Sequence, residues 1–104
     1  MEKLNLVDML EFSSEKSVRK GIFKAGDLDT GLLLYAPGQK TPDHRHSDLD
    51  EIFYVVSGNG IITINNEEVE IKEEDVILSL HGETHGFYNN SKSNLVVLQI
   101  KSSL

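Results

Sequence analysis

Gly38-Gln39-Lys40-Thr41-Pro42-Asp43-His44-Arg45-His46-Ser47-Asp48-Leu49-Asp50-Glu51-Ile52-Phe53-Tyr54-Val55-Val56-Ser57-Gly58 is the stretch on which the fold turns. His44 and His46 are two residues apart, so on an extended strand they share one face while Arg45 takes the other. Glu51 opens the apolar run that follows, and neighbouring strands lie only roughly 5 Å apart. A third histidine, His85, stands in Gly82-Glu83-Thr84-His85-Gly86-Phe87-Tyr88-Asn89. Three strands converging inside a barrel bring these four groups to one point. Imidazole nitrogens and a carboxylate oxygen are donors suited to a divalent transition metal. The expected ligands are therefore His44, His46, Glu51 and His85, with Mn, Fe, Ni and Zn all compatible. On a six-coordinate ion, four protein ligands leave two positions for water, substrate or dioxygen.

The rest of the chain reads as short strands punctuated by Gly, Asn, Asp and Pro. Apolar or alternating runs fall at 17–25, 30–36, 51–57, 60–64, 67–71, 76–80, 85–89 and 95–101. They are rich in Ile, Val, Tyr and Phe and too short for buried helices. Asn65-Asn66 between two of them predicts a tight hairpin turn, because Asn tolerates positive φ. Helical spacing is confined to the first dozen residues, where Leu4, Val7 and Leu10 fit a short helix loosely and an edge strand equally well. The acidic residues of 67–75, with only Lys72 as counter-charge, read as a solvated hairpin and turn. An all-β sandwich or barrel is the predicted class.

Composition narrows the partners. At 104 residues the chain is expected to form one domain, 1–104, and a second chain would add buried area to a modest core. A formal charge of −7 argues against nucleic acid or an anionic membrane. Cysteine is absent, so neither a disulfide nor a thiolate metal site is available. The first residues lack the apolar core of a signal peptide, and a cytoplasmic protein is the expectation.

Taken together, the two motifs resemble those of the cupins. The pattern Gly-x5-His-x-His-x4-Glu-x6-Gly is met by Gly38, His44, His46, Glu51 and Gly58, spanning 38–58. A second pattern, spanning 74–89, is met at Gly82, His85 and Asn89, with Glu74 and Leu80 where the family usually has Gly and Pro. The resemblance implies a double-stranded β-helix, or jelly roll, with the metal inside and a mouth at one end. It also implies a small homodimeric member of the RmlC-like superfamily. Both departures fall at turns, so they bear on loop shape rather than on donor atoms.

Strand phase extends the reading to the cavity walls. Phe53 and Val55 follow Glu51 on its face, Phe87 and Asn89 follow His85, and Ile62 and Ile64 extend the wall beside Gly60. Phe53, Val55, Ile62, Ile64 and Phe87 are the expected pocket lining, although each also suits barrel core. With three histidines as ligands, only His81 remains free, and its place outside the pattern predicts a rim position. Chemistry carried by the metal asks least of such a cavity. The leading expectation is a metal-dependent dioxygenase, decarboxylase or isomerase acting on a small oxygenated molecule. A non-catalytic small-ligand-binding module is the alternative.

Overall fold

A computed structural model describes all residues 1–104. Nine strands follow one another: β1 Val18–Ala25, β2 Leu28–Tyr35, β3 Lys40–Arg45, β4 Leu49–Ser57, β5 Asn59–Ile64, β6 Glu67–Lys72, β7 Val76–Ser79, β8 Thr84–Tyr88 and β9 Leu95–Ser103. They form two antiparallel sheets, a five-stranded one ordered β1-β2-β9-β4-β7 and a four-stranded one ordered β3-β8-β5-β6. Sequential strands repeatedly cross between the sheets, which is the jelly-roll arrangement expected. The single helical feature is a 3₁₀ turn at Leu6–Met9, N-capped by the Asn5 side chain. The amino-terminal segment thus becomes a cover instead of a regular helix or strand. Its Leu6, Met9 and Phe12 pack over Leu32, Leu34 and Val96 on the outer face of the larger sheet.

The main core lies between the sheets. Tyr35, Phe53, Val55, Ile62, Ile71, Phe87, Leu95 and Val97 form one buried cluster. Each such apolar side chain contributes roughly 1.5–3 kcal/mol through burial. Register places interior residues in rungs across the larger sheet. Asp29, Lys101, Glu51 and Ser79 form one rung, and Gly31, Gln99, Phe53 and Ile77 the next. β9, paired on both sides, holds the rungs together.

The turns explain both the hits and the departures of the sequence reading. Asn65 and Asn66 sit at φ 50° and 67°, joining the paired residues Ile64 and Glu67 through the expected two-residue turn. Glu74 holds φ 73°, so the turn keeps the left-handed conformation for which glycine is better suited. Its N–H donates to the Val55 carbonyl at 2.9 Å, which ties the strained turn to the core strand. β3 carries Pro42 and lies at a sheet edge, where the missing N–H costs no ladder bond.

Candidate metal centre

Two paired strands, rather than three, deliver the histidines. His44 on β3 lies directly opposite His85 on β8, and His46 follows one residue beyond the end of β3. Their ring centroids are 4.4 Å apart for His44 and His85, and 4.9 Å apart for His44 and His46. One ring nitrogen from each of His44, His46 and His85 lies within 4.8 Å of the others, so the cluster could hold a metal ion. The sequence pair His44 and His46 does face one cavity, as period-two spacing requires.

Glu51, on β4, stands beside this cluster and outside that mutual distance. Its Oε2 lies 2.9 Å from His85 Nε2, with both side chains almost wholly buried. Its Oε1 accepts a hydrogen bond from Gln99 Nε2 at 3.0 Å, whereas Oε2 has no hydrogen-bond donor. Burial pushes the Glu51 carboxyl up, but the neighbouring His85 and His46 and the Gln99 amide hold it below its ordinary value. The result is an ionised carboxylate with one buried oxygen unsatisfied and aimed beside an imidazole nitrogen.

In His44 and His85 the other ring nitrogen is already engaged. His85 Nδ1 lies 3.0 Å from Ser79 Oγ. His44 Nδ1 lies 3.0 Å from the Pro42 carbonyl oxygen, which can only accept, so that nitrogen carries the proton. The lone pair of His44 then resides on Nε2. Such outer partners fix both tautomer and ring orientation in metal sites. Burial foremost pushes the His46 imidazole down, aided by His44, His85 and Lys101 against the pull of Glu51. A depressed value favours the neutral ring, the form that donates an electron pair to a cation.

The cavity at the cluster has a volume of about 260 Å³. Phe53 and Phe87 border it together with Leu33, Tyr35 and Thr41, and the two phenylalanine rings pack edge to face at 4.9 Å. Val55 and Ile62 lie deeper, in the core cluster, and Ile64 packs against that cluster. They fill the closed part of the barrel, because the rungs behind Phe53 belong to core. Tyr35 donates to or accepts from Thr41 Oγ1 at 2.7 Å, and burial pushes its phenol up to about 12.

Six of the cavity residues escaped the sequence reading: Leu33, Tyr35 and Thr41, and the polar Arg19, Gln99 and Lys101. Gln99 had a legible signal: it interrupts the apolar run 95–100 in phase with Leu95 and Val97. Arg19 and Lys101 had none, since cations near strand ends are usually solvated. His81 is exposed and does not line this cavity; its Nδ1 and backbone N–H both meet Asp50 Oδ1 at 2.8 Å. A wider concavity at Asn59, Glu70, Lys72 and Asp75 is polar and holds none of the histidines.

The double-stranded β-helix has close counterparts among known proteins. The family model for the cupin domain matches residues 31–101, and the chain belongs to the cupin family. A Thermus thermophilus protein of known structure superposes with a TM-score of 0.94 at 23% identity, covering 99% of this chain and 98% of that one. That likeness is one of fold. An uncharacterized protein of Methanocaldococcus jannaschii is 42% identical over 56 residues, 54% of this chain and 45% of the relative. The oxalate-binding protein of Thermotoga maritima is 33% identical over 64 residues, 62% of this chain and 53% of the relative. The chain spans about half the length of these curated relatives. No helix is long and apolar enough to cross a membrane.

Proposed function

We propose that this cupin is a metal-dependent enzyme in which His44, His46, His85 and Glu51 hold a divalent transition ion. The carrying observation is the Glu51 carboxylate, 2% exposed, with Oε2 orphaned next to His85 Nε2. Leaving a buried carboxylate oxygen without a partner costs on the order of 1–3 kcal/mol or more. A cation between these groups removes that cost, and three imidazoles with one carboxylate suit Mn, Fe, Ni or Zn. When bound, the ion supplies Lewis-acid or redox chemistry to a small oxygenated molecule. The protein's part is to orient the ligands through Pro42, Ser79 and Gln99, and to keep water from the inner cavity with Phe53 and Phe87. Glu51→Ala and His46→Ala should each lose stoichiometric metal in elemental analysis while keeping the wild-type circular dichroism spectrum. Full metal retention in both would overturn the assignment.

Dioxygen cleavage, decarboxylation and isomerisation differ in products, so the metal-loaded protein should be assayed on diketones, phenols and keto acids. A second reading, ligand binding without turnover, is favoured by the absence of any free carboxylate or imidazole among the remaining cavity residues. The name of the oxalate-binding relative points the same way. Saturable binding of these molecules with no product would select it.

A homodimer completes the proposal. The edge strand β7 leaves Val76 66% and Leu78 58% exposed, and Ile52, the partner of Leu78 on β4, is 40% exposed. A contiguous apolar strip on an open sheet edge is a surface that proteins ordinarily cover. Light scattering should give twice the chain mass, and Val76→Lys with Leu78→Lys should halve it. A monomeric wild type overturns this part.

A further inference from the structure

Two cations share the cavity with the histidines, in a chain whose net charge is −7. Arg19 projects from β1 and reaches Gln99 on β9, with β2 between them. It crosses β2 over Gly31. A Cβ added at Gly31 would fall 2.7 Å from Arg19 Cζ and 2.6 Å from Nη2, so the guanidinium lies on bare backbone. Arg19 Nε donates to Gln99 Oε1 at 2.8 Å, and the Gln99 amide then donates to Glu51. The amide orientation is thereby fixed, since Arg can only donate and a carboxylate can only accept.

The two cations at this end are loosely paired. Asp29 is the one acidic group paired with both cations, at 3.5 Å from Arg19 Nη2 and 3.6 Å from Lys101 Nζ. Both are longer than the 2.7–2.9 Å of a well-made charge-assisted bond. Arg19 Nη1 has no protein acceptor. Asp29 is met only at these long distances, and Glu51 is reached only through the Gln99 amide, so N–H groups of both cations are left free to take a further anion beside the histidine cluster. A planar guanidinium with free N–H groups is the side chain best matched to a carboxylate.

We propose that Arg19 and Lys101 form an anion-binding arm of the cavity, which makes the ligand a small carboxylic acid. Its carboxylate rests on Arg19 and Lys101, and a second oxygen function faces His44, His46 and His85. This deepens the metal reading and rests on it for the second oxygen only. The volume of about 260 Å³ falls below the roughly 300–1,000 Å³ of drug-sized sites, so the acid is a compact one.

The test is calorimetric titration of pyruvate, malonate and succinate into manganese-loaded and metal-free protein, with malonamide as the uncharged control. At least one acid should bind saturably, weaken with added salt, and exceed malonamide more than tenfold in affinity. Lys101→Met and Arg19→Gln should each weaken that acid about tenfold or more with metal content unchanged. Gly31→Ala should do the same, because its new methyl displaces only the flexible guanidinium. No binding of any of the three acids, equal binding of malonamide, or wild-type affinity in Lys101→Met and Arg19→Gln would overturn the proposal. If Arg19→Gln loses metal yet keeps the acid, Arg19 is only a positioning residue for Glu51 and the arm is refuted. Failure of the wild type to take up any of manganese, iron, nickel or zinc would sink the metal reading alone. The arm is then read in metal-free protein, from a carboxylate-dependent shift of the Arg19 Nε–H resonance that malonamide does not produce.

Discussion

The floor and the rim of the histidine cluster are built differently. Glu51, His85, Ser79 and Gln99 form a floor that is at most 8% exposed and linked by side-chain contacts. His44 and His46 sit on an edge strand and just beyond it, with a single hydrogen bond from His44 to the Pro42 carbonyl. Floor residues therefore serve folding and site together, whereas rim residues serve the site with little at stake in the fold. Mutations should separate these two contributions.

The largest effect belongs to the floor. His85→Ala should abolish metal uptake and lower stability of the metal-free protein by about 2–4 kcal/mol, from a cavity beside Phe53 and a stranded Ser79. Urea denaturation measures it. His44→Ala should lose metal as completely and shift stability by less than about 0.5 kcal/mol. Similar stability losses in the two would erase the distinction between floor and rim.

Next comes Asn89, fully buried, whose Nδ2 donates to the Tyr35 and Ser93 carbonyls while Oδ1 accepts from Ser91 N and Oγ. Asn89→Ala should cost about 2–3 kcal/mol, because it strands buried carbonyls, and leave metal affinity within twofold. A large loss of metal affinity would extend the floor to the far end of β8.

Tyr35 gives a pH-dependent effect. Its pKa is 10.0 in the unfolded chain and raised to about 12 by burial in the fold. The unfolded chain releases this proton first, so the stabilisation is fully present below pH 10 and lost as pH rises towards 12. Melting curves between these limits should fall less steeply for Tyr35→Phe than for wild type. The smallest effect is Glu74→Gly, which relieves the turn at φ 73° and should raise stability by about 0.5–1 kcal/mol without touching metal content.

Rim and floor also differed in how far the sequence revealed them. His44 and His46 were visible because period two puts them on one face, and the Asn65-Asn66 turn because asparagine accepts positive φ. β3 itself was missing from the run of apolar segments. Its residues Lys40 to Arg45 are nearly all polar and exposed, as an edge strand allows. Strand phase correctly sends Val55 and Ile62 inward, but depth along the barrel decides between core and cavity, and alternation carries no depth. Arg19 was invisible for a further reason. Its role depends on the bare backbone of Gly31 on the adjacent strand, a relation set by register and written in neither segment alone.

Register also gives the loop before β9 a chemical consequence. β9 faces Gln99 and Lys101 inward and Leu98 and Ile100 away, and Gly58 anchors its start, since a Cβ there would fall 2.2 Å from the Asn94 carbonyl oxygen. A one-residue slip would exchange the two faces. Deleting a single residue between Asn90 and Asn94 would thus withdraw Gln99 and Lys101 from the cavity and bring Leu98 and Ile100 into it, leaving Arg19 on β1 as its one cation. The length of a surface loop therefore decides which face of β9 lines the cavity, and an insertion can alter that lining as readily as a substitution.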